Sequence, residues 1–486
     1  MGVHGGAALV ISKCMEKCGV IGVYSRNAGD SQCARRIYEG LVALQHRGQE
    51  SAGIYMFSGD GRIAGIKGSG LVTEVFSAKS LELLKGSVGI GHVRYSTTGT
   101  GTTDEIQPFF VREGRFSFAL AFNGTITNFA EVRKWLRNQG FYFKTNTDTE
   151  VLAKTIAFYL SEEGYDYFAA LERTMEALDG AFSVVLINEK GEMLGMRDPR
   201  GFKPLCLGAT SDPEMYILAS ESVAIDALHG FLLGDVYPGE IIRISDGVVE
   251  RKVACKSEKH SHCMFEYVYF AREDSIIEGI HVYNVRWRLG AILSELYPTD
   301  ADYVIPVPDT GIVPAIGFSQ ASGIPLAYGL VRNKYVGRTF IMPQQQMREG
   351  AVRVKLGVIR SVVSGKRMVV VDDSIVRGTT SKFIVELLKS FNAAKVHLRI
   401  CCPPIVSPCY MGIDFPSHKE LIASKMDVEG VRRFIGADSL GYMTIDGLVR
   451  GIGLPKGELC LACLTGEYPL KRPEDVDKLE EIFKRG

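Results

Sequence analysis

The sequence predicts a two-domain chain, a layered α+β unit followed by an α/β unit built on a parallel sheet. Three observations carry that expectation. At 486 residues with 46% hydrophobic content, the chain is long enough to bury more than one core. Up to about residue 250, short β-branched runs alternate with Gly-rich turns and interspersed helical patterns. Beyond the charged, polar stretch "CKSEKHSH", the pattern becomes strand then helix, repeatedly.

In the first half, "SVGIGHVRYS", "FSFALAFNG", "AFSVVLINEKG" and "EMYILAS" read as strands, because β-branched and aromatic residues fit a pleated, half-buried surface. "AEVRKWLRNQG" and "DTEVLAKTIAFYLSEEG" repeat apolar residues at helical spacing. In the second half, "ADYVIPVP" precedes "GIVPAIGFSQASG" and "KRMVVVDDS" precedes "GTTSKFIVELLKSFN". Continuously apolar strands followed by amphipathic helices imply a sheet covered on both faces.

Lys plus Arg and Asp plus Glu are both 56, so the formal net charge is zero and no strong field favours polyanions. A general nucleic-acid binder is not expected. No run approaches the roughly 18 apolar residues that span a bilayer, and "MGVHGGAALVISK" has too short an apolar core for a secretory signal. The expectation is a cytoplasmic protein without a membrane or nucleic-acid partner. Eleven cysteines, an odd number, argue against a disulfide framework and make most of them small buried hydrophobes.

The strongest chemical signal is "MVVVDDSIVRGTTS", residues 368–381. An apolar strand ends in paired carboxylates, and Ser374, Arg377, Gly378, Thr379 and Thr380 lead into a helix. Backbone N–H groups and hydroxyls at a helix N-terminus favour a phosphate, and Asp372 and Asp373 can hold ribose hydroxyls or Mg²⁺. This string resembles the signature of type I phosphoribosyltransferases, which bind phosphoribosyl pyrophosphate (PRPP) with Mg²⁺. The resemblance extends to "VIPVPDTGIVPA", where Asp309, Thr310 and Gly311 would face the diphosphate. It implies Mg²⁺ at Thr310, Asp372 and Asp373. Between the two motifs, "LVRNKYVGRTFIMPQQQMREG" lacks an apolar period and reads as a basic loop or lid. As a lid, Lys334 and Arg338 would close on pyrophosphate while Tyr335 and Val336 shut out water.

The first half carries "CGVIG" from Cys18, "LQHRGQESAGI", "GHVRYSTTG", "AFNGTITN" and "TNTDTE". A nucleophilic thiol needs a base and an oxyanion site. His46 or His92 could serve as base, as could the α-amino group of a cysteine that is the first residue, since that amine titrates near neutrality. Together the motifs resemble the N-terminal-nucleophile glutamine amidotransferases. The resemblance implies Cys18 as nucleophile and Asn123 with the Gly124 N–H as oxyanion site. Arg94 would pair with the glutamine α-carboxylate, Asp148 with its α-ammonium, and Arg47 would support the site from behind. Phe122 and Thr125 stand where members of that group often carry His and Asn.

Joined in this order, the halves resemble the glutamine PRPP amidotransferases, a match running from residue 18 to about 470 that includes "RDPRGFKPL", "ASESVAID" and "FEYVYFAREDS". It implies an αββα four-layer sandwich over 18–258, a phosphoribosyltransferase domain over 259–470, a propeptide at 1–17 and a helical tail at 471–486. It also implies the first committed step of purine synthesis: ammonia from glutamine displaces diphosphate from PRPP, giving 5-phosphoribosylamine. A homo-oligomer, dimer or tetramer, inhibited by purine nucleotides is expected on the same ground. Some members of that family hold a [4Fe–4S] cluster, and the matching ligands are Cys263, Cys409, Cys460 and Cys463. Four thiolates also suit a zinc ion. Two rival readings are a hexosamine-forming amidotransferase, disfavoured by "DDSIVRGTT", and a non-catalytic nucleotide-binding regulator, disfavoured by the intact glutamine motifs.

Overall fold

The structure is a computed structural model that describes residues 18–27, 29–94, 103–211, 214–333, 356–413, 415 and 417–470. The proposed propeptide, the tail and the lid residues Lys334, Tyr335, Val336 and Arg338 lie outside the described residues.

The N-terminal unit stacks two antiparallel sheets. In the first, of seven strands, β1 (Gly19–Ser25) lies between β3 (Val88–Arg94) and β7 (Glu214–Ala219), with β2 (Ser51–Phe57) beyond β3. The second, of six strands, is centred on β4 (Phe116–Ile126), β5 (Gly180–Asn188) and β6 (Met193–Arg197). The period-2 alternation of each strand sorts its side chains into layers. Val20 and Tyr24 of β1 meet Ala119 and Ala121 of β4 and Val185 of β5 between the sheets. Ile21 and Val23 point the other way, onto Ile37 and Leu41 of α1 (Cys33–Ala43). Phe118 and Leu120 of β4 likewise face outward, packing with Val132 of α2 (Phe129–Asn138), Leu152 of α3 (Asp148–Glu162) and Leu171 of α4 (Tyr167–Ala177). The result is the expected helix–sheet–sheet–helix sandwich. Each fully buried Val, Leu or Ile in it contributes roughly 1.5–3 kcal/mol.

The last strand of the second sheet ends at Val253, and His262–Cys263 pairs with Leu459–Cys460 instead. The C-terminal unit carries a four-stranded parallel sheet in the order β8 (Tyr303–Pro306), β9 (Arg367–Asp372), β10 (Lys395–Ile400), β11 (Ser439–Tyr442). Val369, Val370 and Val371 of β9 are all buried, as a strand covered on both faces requires. Around it pack α5 (Val282–Leu296), α6 (Ile312–Ser322) and α7 (Thr379–Ser390), and all belong to one continuous core.

Candidate active sites

Cys18 stands half-buried at the entry to β1 and takes part in no disulfide. Opposite, on the facing sheet, Asn123 is fully buried in β4, and neither its amide oxygen nor its amide nitrogen has a hydrogen-bond partner among the described residues. Leaving such a group unsatisfied costs about 1–3 kcal/mol, so an orphaned amide in a strand marks a place where a ligand is expected. Gly124, the next residue, has φ +153°, and a Cβ there would lie 2.0 Å from the Ala181 carbonyl oxygen. Only glycine lets the two backbones approach so closely.

Arg94 ends β3, and its Nη1 donates to the Glu105 carbonyl at 2.7 Å. Asp148 opens α3, and the Ile126 N–H donates to its Oδ2 at 3.3 Å. Burial pushes the Asp148 carboxyl up to about 6, against the opposing pull of backbone N–H groups and of Arg94. The two charges therefore sit close enough to sense each other, as the two ends of one amino acid require.

Of the two histidines weighed as bases, His92 is buried, with Nε2 3.2 Å from the Phe122 carbonyl. Burial lowers its pKa to about 3, with Arg94 acting in the same direction, so it is a very weak base at neutral pH. His46 is tied by Nε2 to Glu221 Oε1 at 2.7 Å. Both rings are thus engaged in hydrogen bonds within the fold.

Arg47 is fully buried beside Gly19, the residue after Cys18: its Cβ is 3.6 Å from the point a Cβ on Gly19 would occupy. Its Nη1 and Nη2 donate to Glu266 Oε2 and Oε1 at 3.0 and 2.7 Å, and Nη1 also bonds to Glu221. Burial disfavours the guanidinium charge, yet the two carboxylates more than offset this and hold it firmly protonated. Glu266 belongs to the "FEYVYF" turn at the start of the C-terminal unit, so the pair joins the two units beneath Cys18. In the same turn, Tyr267 and Ala271 offer their carbonyls to buried Arg286 at 3.0 and 2.6 Å, and Arg286 in turn feels the charge of Asp373. Glu221, Glu266 and Arg286 had no role in the sequence reading. The first two lie in motifs it noted, but partners 174 and 219 residues apart give no local signal.

At the second site β9 delivers Asp372 and Asp373, both buried, to the C-terminal edge of the parallel sheet. Ser374 Oγ donates to Asp373 Oδ1 at 2.5 Å, and the Thr310 hydroxyl bonds to Asp373 Oδ2. The two predicted motifs thus meet. A Cβ at Gly311 would lie 2.4 Å from the Val371 carbonyl, so glycine is what lets the 309–311 turn seat against β9. Thr379 and Thr380 are the first residues of α7, and Gly378 before them adopts φ +76°. Asp309 accepts from Arg332 at 2.6 Å and Arg377 donates to Glu420 at 2.8 Å, both exposed ion pairs. A loop that ends on a helix N-terminus, flanked by buried carboxylates, suits a phosphorylated ribose with a hard divalent cation.

Cys263, Cys409, Cys460 and Cys463 converge from three segments: Cys263 pairs with Cys460 across the short parallel bridge, and the Val406 and Ser407 N–H groups bond the Cys463 carbonyl. Burial raises the thiol of Cys263 to about 12 and those of Cys460 and Cys463 further, so loading a metal would release protons. Among the described residues the donor group that closes within 4.8 Å is His260, His262 and Glu458, so no three of the four sulfurs are that near. Cys401 and Cys402 are buried in the core beside β10, as expected.

The glutamine amidotransferase domain family matches residues 92–227, and the phosphoribosyl transferase domain family matches residues 285–404. The amidophosphoribosyltransferase of Archaeoglobus fulgidus is 48% identical over 459 residues, 94% of this chain and 98% of that protein. Its Bacillus subtilis counterpart is 43% identical over 470 residues, covering 95% and 96%. The structure of glutamine PRPP amidotransferase from B. subtilis, complexed with ADP and GMP, superposes with a TM-score of 0.87 at 42% identity, covering 94% of this chain and 98% of that one. With both domains in the same order and this identity along nearly its whole length, the chain belongs to the amidophosphoribosyltransferase family, which hydrolyses glutamine and transfers the ammonia to PRPP in purine biosynthesis.

Proposed function

We propose that Cys18, freed of residues 1–17, attacks the glutamine side-chain amide with its own α-amine as base. The observation that carries this reading is the orphaned Asn123 amide, buried beside Gly124 on the strand that faces β1. Its Nδ2 and the Gly124 N–H stabilise the oxyanion that forms when the thiolate adds to the carbonyl. Arg94 takes the α-carboxylate with a planar fork suited to two oxygens, and Asp148 takes the α-ammonium. Collapse of the adduct expels ammonia; water then releases glutamate and returns the thiol. Arg47 touches no substrate in this scheme and holds β1 in place.

At the second site Asp309, Thr310, Gly311, Ser374, Arg377, Gly378, Thr379 and Thr380 bind the phosphate groups of PRPP, while Asp372 and Asp373 hold the ribose. Ammonia forms a bond to ribose C1 as the C1–O bond to diphosphate breaks. Thr310, Asp372 and Asp373 would hold Mg²⁺, which when bound neutralises charge on the departing diphosphate. Lys334, Tyr335 and Arg338 are assigned to closing over the diphosphate and excluding water. An enclosed passage for ammonia between the sites is part of the proposal, because ammonia entering water near neutral pH is mostly protonated and loses its nucleophilic lone pair.

Cys263, Cys409, Cys460 and Cys463 would hold a [4Fe–4S] cluster in a structural role, tying the C-terminal segment to the domain boundary. Gly412, three residues beyond Cys409, offers its carbonyl to buried Lys203 at 3.4 Å, and a Cβ there would sit 3.5 Å from the Gly124 carbonyl carbon. Correct seating of the cysteine loop thus supports the oxyanion strand. A cytoplasmic homo-oligomer, dimer or tetramer, with purine nucleotides as feedback inhibitors completes the reading; the nucleotides bound in the B. subtilis structure support the last point. Mass analysis of the N-terminus of active protein tests the nucleophile assignment. Cys18 as residue one is expected, and glutamine activity in a chain retaining residues 1–17 would overturn the α-amine mechanism.

A further inference from the structure

We propose that His260, His262 and Glu458 bind a divalent cation of the zinc class, at a site distinct from the four cysteines. Their donor atoms all lie within 4.8 Å of one another. The sequence explains the convergence. His260 and His262 are two apart on an extended segment, so their side chains leave the same face. Their rings lie with centroids 5.6 Å apart at 62°. The parallel pairing of His262 with Leu459 then brings Glu458 alongside, from a segment almost 200 residues later.

His262 is buried and its ring is already oriented. Its Nδ1 lies 3.0 Å from the Gly201 carbonyl, which fixes the proton on Nδ1 and leaves the Nε2 lone pair for a metal. Gly201 has φ +68°, and a Cβ on it would press within 3.1 Å of the His262 ring. Around the same nitrogen, Arg197 and Glu278 form an ion pair of 2.6 Å, so the wall behind the ring carries no net charge against a cation. Two imidazoles and one carboxylate form a donor set that suits zinc, whereas Mg²⁺ and Ca²⁺ prefer oxygen alone.

The bound ion would fasten the end of the interdomain segment to the strand that carries Cys460. The same two-residue bridge sets Cys263 opposite Cys460, so the cation fixes the register of two neighbouring thiols. This assignment stands on the three residues themselves and does not depend on what the cysteines bind.

The test uses the full-length protein as isolated, loaded with zinc and then desalted through a chelating column. Elemental analysis should find one retained zinc, and His260→Ala and Glu458→Gln should each weaken zinc binding by at least about 100-fold with iron content unchanged. Glu458 is half-exposed, so its variant remains informative if the histidine variant fails to fold. Cobalt(II) used in place of zinc should give weak visible bands without thiolate charge transfer, and these should vanish in both variants. Absence of retained zinc, or equal retention in parent and both variants, would overturn the proposal.

Discussion

Replacing Glu266 by Gln tests whether the buried Arg47 pair holds the glutamine site in working geometry. The wild-type carboxylate takes both terminal nitrogens of Arg47, at 3.0 and 2.7 Å, with neither side chain open to solvent. Glutamine preserves the shape but offers one acceptor, and its amide N–H₂ then faces a guanidinium donor. The loss of one charge-assisted bond is worth about 1.5–3 kcal/mol. The larger value of about 3–5 kcal/mol for an orphaned buried charge does not apply, because Glu221 still pairs with Arg47. Arg47 Cβ lies next to Gly19, one residue after the nucleophile, and a displacement of about 1 Å at a reacting group costs on the order of 100-fold. Glutamine-dependent kcat/KM should therefore fall by about 10–100-fold, whereas ammonia-dependent turnover of PRPP should stay within about twofold. Steady-state assays with each nitrogen source read both. Equal losses in the two assays, or no loss in either, would refute the positioning role of this pair.

Lowering the pH through about 6 should depress kcat/KM for glutamine, because the raised carboxyl of Asp148 protonates there and can no longer pair with an α-ammonium. Because the α-amine base titrates near neutrality and gives an acid limb of its own, Asp148→Asn should remove only the additional steepening below about pH 6 and cost about 10–100-fold at pH 8; a profile equally steep in the variant would reassign that steepening. Gly124→Ala places a Cβ 2.0 Å from the Ala181 carbonyl in a backbone conformation only glycine adopts readily, so it should abolish glutamine hydrolysis and leave ammonia-dependent synthesis. Activity with glutamine in that variant would remove Gly124 from the oxyanion site. Replacing Asp372 and Asp373 together by Asn should disable both nitrogen sources through weakened PRPP binding, measured by calorimetry in the presence of Mg²⁺. Unchanged PRPP affinity would sink that assignment.

The strands and helices were legible because their apolar patterns are local. β9 reads as buried from four consecutive apolar residues, and α3 from its helical period. The half-sites were legible because loops such as 368–381 concentrate chemistry in one stretch, and the structure brings Thr310 onto Asp373 as two separate motifs suggest. What joins the halves was not legible. Arg47 is expected behind the site, but Glu221 and Glu266 are charged residues that ordinarily belong on a surface, and only the packed fold reveals that they neutralise it beside Gly19. The contact of Gly412 with Lys203 and the Gly124 strand is equally non-local. The convergence of His260, His262 and Glu458 depends on a two-residue strand pairing that no periodicity signals.

The central claim is that one chain carries two chemically separable sites, a cysteine centre that releases ammonia and a PRPP centre that uses it. Cys18→Ala, assayed with glutamine and then with a high concentration of ammonia, tests it most directly. Loss of glutamine-dependent 5-phosphoribosylamine with retention of ammonia-dependent product is the predicted result; equal loss of both, or glutamine-dependent product without Cys18, would contradict the account.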